Sequence, residues 1–372
     1  MSLNPNLFTE GPIDSPTLNV MGLALAFLSP GLFIAGIVEW VSGSSHNEWP
    51  LFATAAISLN IGLTLRALTE ISSEVKALSM FSMVAWSWVA CSVMGALPYL
   101  WAGVFPWSSL DNALFESISG FSCTGSTVLE DIESLGKGVL LWRQLTQWYG
   151  GMGMIVLATA VLPRLGVGGL ALMSAEAPGH KSDMLRSTAT KTAKTLWSVY
   201  FVTTLVIVLA LWITPGPTLF DAVNHALSTA ATGGFSTYNS SVGYFDSVAV
   251  EIILIAGMIF CALSFTLHYK VFVQRVILAW VKSSEARVFL SIVFFVGALV
   301  TLINLSDGLA SFPTVFRDSM FNVVALASST GFGNVRADGI GDFVLWGSAT
   351  QITLLFLMTI GGTTGSTAGG MK

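Results

Sequence analysis

Three short runs, Cys123-Thr124-Gly125, Ala231-Thr232-Gly233 and Ser329-Thr330-Gly331, each close an apolar stretch that opens on an aspartate. The openers are Asp111, Asp221 and Asp318, with aspartate-to-glycine offsets of 14, 12 and 13, and the three glycines lie 108 and 98 residues apart. A unit that recurs at such an interval implies a shared task. The chemistry open to these runs belongs to the backbone. A helix that stops at Thr-Gly inside a membrane leaves carbonyl oxygens without intrahelical partners, and a ring of them can replace the hydration shell of a cation. Glycine at 125, 233 and 331 permits the positive φ that turns successive carbonyls toward a common axis.

Such loops need a bilayer around them, and the composition provides for one. Of the 372 residues, 53% are hydrophobic and only 10% charged, with a mean hydropathy of +0.74. That is too little polar surface to cover a water-soluble globule. Crossing the hydrocarbon takes about 20 apolar residues. Runs of that kind fall at 18–41, 50–67, 77–102, 139–162, 196–215, 248–268, 287–305 and 343–360, eight in all. The first is preceded by Glu10 and Asp14 and by no Lys or Arg, unlike a cleavable signal peptide, and reads as a retained helix. The expected fold is an all-α polytopic membrane protein. A two-helix segment over 1–76 is followed by a pore-loop unit over 77–162, a connecting segment over 163–195, and further units over 196–286 and 287–372. Each unit reads span, short re-entrant helix, Thr-Gly loop, span. Non-helical backbone at membrane depth is tolerable only where it is buried in protein or lines water.

Lys and Arg placement sets the orientation. Arg66 and Lys76, then Arg164, Lys181, Arg186, Lys191 and Lys194, then Lys270, Arg275, Lys282 and Arg287 mark three cytoplasmic loops. The alternate loops carry Glu130, Asp131 and Glu133, then Asp246, then Asp307, Asp338 and Asp342. The Thr-Gly loops therefore open outward, beneath carboxylates that concentrate cations. The net charge of −5 conceals this division. Cys91, Cys123 and Cys261 show no metal-ligand spacing, and His46, His180, His225 and His268 form no zinc pattern. No G-x-S-x-G elbow or spaced Ser/His/Asp set points to an enzyme. Glu39, Arg143, Asn224, His225 and Glu251 read as lone polar residues at membrane depth. They fit helix-interface packing or, as an alternative, the relay of a proton- or sodium-coupled solute carrier with broken helices.

The stretches SGFSCTGST at 119–127, WRQLTQWYGGMGMIVLATAVLP at 142–163 and RLGVGGLALMSAEAPG at 164–179 carry a resemblance, as do TAATGGFSTYN at 229–239, SSTGFGN at 328–334 and GGTTGSTAGGMK at 361–372. Together they resemble the Trk/Ktr/HKT superfamily of potassium transporters, most closely its bacterial Trk-type potassium-uptake membrane subunit. The resemblance covers most of the chain beyond the first two helices. It implies four helix, pore-loop, helix units around one pore, a homodimer in the bacterial inner membrane, and potassium as the transported ion, with no covalently bound cofactor. It places Thr124, Gly125, Thr232, Gly233, Thr330 and Gly331 around potassium, with Cys123, Ala231 and Ser329 adding a second carbonyl ring. Cys123 stands where many relatives carry threonine, a small departure where the carbonyl does the work. The resemblance also implies that the cytoplasmic segment 163–195 docks a cytosolic nucleotide-binding regulatory ring, although the sequence itself shows no nucleotide site. No nucleic-acid partner is implied.

Gly361 to Gly370 repeats the letters of the first loop, Thr364-Gly365-Ser366-Thr367 against Thr124-Gly125-Ser126-Thr127. Only 34 positions separate Gly331 from Gly365, and the run 343–360 uses most of them, so no further span and pore helix fit between. The glycines instead break a helix deep in the membrane. In the family the matching segment is a loop beneath the filter that obstructs the pore. Gly361, Gly362, Thr363, Thr364, Gly365, Ser366, Thr367, Gly369 and Gly370 are thus expected to form a gate. A phosphate-binding loop is excluded, because Met371-Lys372 follows Gly370 where Lys-Ser/Thr is required and no strand precedes. Three Thr-Gly loops make three sides of a ring. A fourth unit, absent from these 372 residues, is expected in a parent of roughly 480 residues by repeat arithmetic.

Overall fold

The computed structural model describes residues 13–43, 48–69, 77–156 and 181–371. Their helices, in chain order, are α1 (Ser15–Ser42), α2 (Trp49–Leu68), α3 (Ala77–Trp101), α4 (Leu110–Phe121), α5 (Lys137–Val156), α6 (Lys181–Trp212) and α7 (Leu219–Ala231). There follow α8 (Val248–Ala262), α9 (Phe265–Phe272), α10 (Ala279–Lys282), α11 (Ser284–Ser306), α12 (Phe312–Ala327) and α13 (Ser348–Ile360). No strand occurs among the described residues. Polarity is turned inside out. Phe294, Phe295, Leu355 and Phe356 are exposed, while Glu116, Arg143, Gln147, Asn322 and Thr330 are buried, as a lipid solvent requires.

Among the described residues, five helices are long and apolar enough to cross a membrane: Ser15–Ser42, Trp49–Leu68, Phe81–Trp101, Lys194–Trp212 and Ser284–Ser306. Two expected spans take a different form. The run 248–268 is two helices, α8 and α9, bent by 99° at their junction. The run 343–360 yields only the 13 residues of α13. At 1.5 Å per residue α13 is about 20 Å long, short of the roughly 30 Å hydrocarbon core. The run 139–162 is helical as α5 to Val156, and 157–180, including most of the predicted connecting segment, lies outside the described residues.

The chain forms two compact units. One contains Met1–Phe121, Thr127–Glu130 and Ser134–Thr146, and the other Ser122–Ser126, Asp131–Glu133 and Gln147–Lys372. In the first, α1 and α2 meet through glycine. A Cβ on Gly22 would lie 2.7 Å from the Gly62 carbonyl oxygen, and one on Gly62 2.6 Å from that of Gly22. Small residues at a crossing let membrane helices approach to backbone contact. Glu39, 2% exposed on α1, accepts from the Gly138 N–H in the first turn of α5. An anion at a helix N-terminus is favourably placed. Its role is therefore to anchor one helix to another.

In the second unit α11, α12 and α13 are tied through Asn304, whose Nδ2 donates to Ser319 Oγ at 3.3 Å and whose Oδ1 accepts from Thr350 Oγ1 at 3.0 Å. Gly297 of α11 lets that helix close on Met320, and Gly257 of α8 faces Thr229 of α7. Each re-entrant helix here thus packs against a longer one through a missing side chain.

Candidate functional site

The re-entrant helices α4, α7 and α12 have 12, 13 and 16 residues, about 18–24 Å. Their predicted aspartate openers do three different things. Asp111 is exposed in the first turn of α4. Asp221 completes a capping box with Thr218, its N–H donating to Thr218 Oγ1 at 3.2 Å while its Oδ2 accepts the Thr218 N–H at 3.0 Å. Asp318 is buried along α12 and holds Arg336 bidentately at 2.6 and 2.8 Å. That hydrogen bonding raises the Arg336 guanidinium above its ordinary pKa and keeps it cationic.

All three Thr-Gly loops fall in the second unit, and their backbones share one pattern. Cys123, Thr232 and Ser329 have φ of 55°, 53° and 55°, and two residues further on Gly125, Gly234 and Gly331 have φ of 75°, 83° and 79°. Left-handed backbone at three non-glycine residues is unusual and belongs to sites that the surroundings over-determine. The pattern shifts the second loop by one residue. Letter matching aligns Ala231-Thr232-Gly233 with the other loops, whereas the backbone aligns Thr232-Gly233-Gly234, with Ala231 the last residue of α7. Hydrogen bonds agree: the Gly233 N–H donates to the Ser228 carbonyl and the Thr330 N–H to the Ala325 carbonyl, each five residues back and each at 2.9 Å. Such bonds end helices on a left-handed residue. The positive φ expected of Gly233 therefore belongs to Gly234.

Gly233 lacks a side chain for another reason: a Cβ there would collide with the Gln147 amide. The first and third loops stiffen themselves with paired hydroxyls, Ser122 Oγ to Thr124 Oγ1 at 2.7 Å and Ser328 Oγ to Thr330 Oγ1 at 2.8 Å. In the second loop the same positions are Ala231 and Gly233, and Gln147 of α5 stands in. Its Nε2 donates to the Gly233 carbonyl at 2.7 Å and its Oε1 accepts from the Phe235 N–H at 3.3 Å. The Gln147 carbonyl in turn accepts the Cys123 thiol at 3.3 Å. Sequence reasoning missed Gln147; the absence of hydroxyls at 231 and 233 in the second loop was the available signal.

Adjacent loops nest. A Cβ on Gly125 would overlap the Gly233 carbonyl oxygen, and one on Gly234 the Thr330 carbonyl oxygen, so the second and third loops each press a backbone carbonyl against the glycine of the loop before. Beyond each loop a polar residue of the re-entrant helix secures the outgoing chain. Thr127 Oγ1 donates to Glu116 at 3.0 Å, His225 Nε2 lies 2.9 Å from Ser236 Oγ, and Asn322 Nδ2 donates to Asn334 Oδ1 at 2.9 Å. Glu116, His225 and Asn322 each stand seven residues before the left-handed residue. No letter repeats among them, so only spacing could have revealed the set.

Most of the other intramembrane polar residues are partnered. Arg143 Nη2 lies 2.8 Å from Glu116 Oε1 with both side chains fully buried, and Arg317 Nε lies 2.8 Å from Glu251 Oε2. Asn224 donates back to the Phe220 carbonyl at 2.7 Å. The outer carboxylates are partly committed as well. Asp131 and Glu133 accept from Asn239 at 3.0 and 3.2 Å, and Asp246, 67% exposed, sits 3.3 Å from Arg317 and 3.5 Å from Arg336.

The glycine-rich segment leaves α13 at Gly361 (φ 67°) and lies against the broken end of α8. The Thr363 N–H donates to the Ala262 carbonyl at 2.9 Å, the Gly365 carbonyl accepts the Phe265 N–H at 3.0 Å, and Thr367 Oγ1 donates to the Ala230 and Cys261 carbonyls at 3.1 and 3.3 Å. The carbonyls that α8 abandons by stopping are thereby satisfied. Thr364 is held by Glu285 of α11, its N–H and hydroxyl each 3.2 Å from a carboxylate oxygen.

Short helices ending in nested loops, on a helical scaffold with large apolar side chains exposed, define an all-α polytopic membrane protein. Residues 50–372 match the family model for the cation transport protein TrkH. A Trk system potassium uptake protein TrkH of Halomonas elongata is 39% identical over 361 residues, covering 95% of this chain and 72% of that protein. The protein of that name from Escherichia coli K12 is 34% identical over 356 residues, again 95% and 72% of the two chains. The crystal structure of the potassium transporter TrkH from Vibrio parahaemolyticus superposes with a TM-score of 0.83 at 32% identity, over 96% of this chain and 72% of that one. The chain belongs to the TrkH family of cation transport proteins, which are transporters and not enzymes.

Proposed function

We propose that the chain takes up potassium through a carbonyl-lined filter that a glycine-rich loop closes from below. The observation that carries this is the nesting of three loops with one backbone pattern, each closing a short helix whose last carbonyls lack intrahelical partners, an arrangement that suits replacement of a cation's hydration shell. In this reading Cys123, Thr124 and Gly125, with Thr232, Gly233 and Gly234, and Ser329, Thr330 and Gly331, supply the filter; Ala231 supports it as the end of α7. Continuing the same step, a fourth loop would press its carbonyl on Gly331, giving the pseudo-fourfold ring. Residues 361–370 form the gate. The homodimer, the inner-membrane location, the outward-facing filter and a nucleotide-binding regulatory ring at the cytoplasmic face belong to the same proposal, supported by family membership and by the Lys and Arg distribution.

The carrier alternative loses ground because its candidate relay charges have fixed partners elsewhere: Glu39 the Gly138 N–H, Arg143 the Glu116 carboxylate and Glu251 the Arg317 guanidinium. Labelled Rb⁺ uptake into proteoliposomes containing the intact protein, competed with K⁺, Na⁺ and protons, tests the proposal. Uptake driven by the membrane potential and competed by K⁺ is expected. Uptake that needs a proton or sodium gradient and carries an organic solute would overturn it.

A further inference from the structure

The three left-handed residues at the base of the loops use their side chains differently. The Cys123 thiol donates to the Gln147 carbonyl at 3.3 Å and the Thr232 hydroxyl to the Ala231 carbonyl at 2.6 Å, so both turn toward the filter's own scaffold. Ser329 turns to the glycine-rich loop instead: its Oγ accepts the Gly369 N–H at 2.7 Å. A second tie runs to the base of the neighbouring loop, where Thr367 Oγ1 donates to the Ala230 carbonyl at 3.1 Å, one residue before the end of α7. The obstructing loop is therefore bonded to the underside of two filter loops as well as to the spans. It cannot leave without removing a partner from a residue at φ 55°, a conformation that needs support.

We propose that Ser329 couples the filter to the gate, so that gate opening changes ion preference in the same step. This rests on the filter and gate reading above. Ser329 acts as a positioning residue through its hydroxyl, while its carbonyl remains part of the filter. Losing one neutral hydrogen bond shifts a closed-to-open ratio by about fivefold, which sets the size of the expected effect.

The test compares Rb⁺ and Na⁺ flux through the intact protein in proteoliposomes for the wild type, a deletion of 363–368, Ser329→Ala and Ser329→Thr. Deletion and Ser329→Ala should both raise Rb⁺ flux, the latter about fivefold, and both should move the Rb⁺/Na⁺ ratio in the same direction. Ser329→Thr keeps the hydroxyl at a φ that Thr232 already adopts, and should restore the wild-type ratio. A deletion that raises flux with an unchanged ratio overturns the coupling and leaves the gate standing. Cation-selective flux that neither variant raises overturns gate and coupling together. A second pair guards against misfolding: a Cβ on Gly369 would lie 3.9 Å from Ser329 Cβ, within the roughly 3.5–4.5 Å of a disulfide. Oxidising the double variant Ser329→Cys, Gly369→Cys should lower Rb⁺ flux severalfold, with recovery on reduction and no such response in either single variant. A disulfide verified by mass with flux unchanged overturns the proposal.

Discussion

Replacing Gln147 with leucine removes the side chain that bonds the Gly233 carbonyl and the Phe235 N–H in the second loop, while nearly preserving its volume. In the wild type Gln147 is fully buried, its Nε2 is 2.7 Å from the Gly233 carbonyl and its Oε1 is 3.3 Å from the Phe235 N–H. Leucine leaves both backbone groups buried and unpaired. Each orphan costs roughly 1–3 kcal/mol, the longer Phe235 bond toward the lower end, so the loop loses about 2–4 kcal/mol of support. At about 1.4 kcal/mol per tenfold, its native geometry becomes roughly 30- to 700-fold less favoured. No paired hydroxyls are present at 231 and 233 to compensate, in contrast with the first and third loops. The measurement is Rb⁺ against Na⁺ uptake in proteoliposomes, with thermal unfolding in detergent on the same preparations. The Gln147→Leu variant should keep most of its fold and lose its preference for Rb⁺. Wild-type preference and uptake in that variant would refute the reasoning, since it would mean that the Gly233 carbonyl needs no donor. Gln147→Glu adds a check: an ionised carboxylate cannot donate to the carbonyl, so it should be at least as harmful as leucine despite its matching shape.

Gly234→Ala should abolish uptake, because alanine combines a strained φ with overlap on the Thr330 carbonyl; ring closure requires Gly331→Ala to be equally damaging, and near-normal uptake in that variant would remove the fourth carbonyl. Arg143→Met should destabilise the protein by about 3–5 kcal/mol by leaving Glu116 buried without its cation; adding Glu116→Leu should recover much of that in thermal unfolding, and no recovery would mean that the bonds Glu116 accepts from the Thr127 hydroxyl at 3.0 Å and the Val128 N–H at 3.3 Å matter more than the ion pair. A cysteine at Ser284 should resist a membrane-impermeant thiol reagent applied outside, as should one at Ser174, whereas one at Ser240 should react; labelling of the first two would invert the orientation.

The break in α8 shows why some of the fold was hidden from one-dimensional reading. Neither proline nor glycine marks Leu263-Ser264, and the apolar run continues through it. The helix stops because the Cys261 and Ala262 carbonyls are taken by Thr367 and Thr363, about a hundred residues later. The end of α13 at Ile360 was legible, since five glycines between 361 and 370 break a helix wherever they occur, whereas its start at Ser348 in place of 343 was not.

Composition, the Thr-Gly repeats and the glycine-rich tail are local signals, and from them follow a membrane-embedded all-α chain, three loops of like build and a helix that ends before Gly361. Register in the second loop was beyond their reach. Thr232-Gly233-Gly234 offers two glycines for one left-handed position, and the choice is made by a carbonyl five residues back and by a glutamine 86 residues away. The bracing positions Glu116, His225 and Asn322 hold three different residue types, because each was fitted to a different partner. Tertiary structure decided these points: a buried backbone group must find a partner, and among nested loops the nearest one belongs to a distant part of the chain.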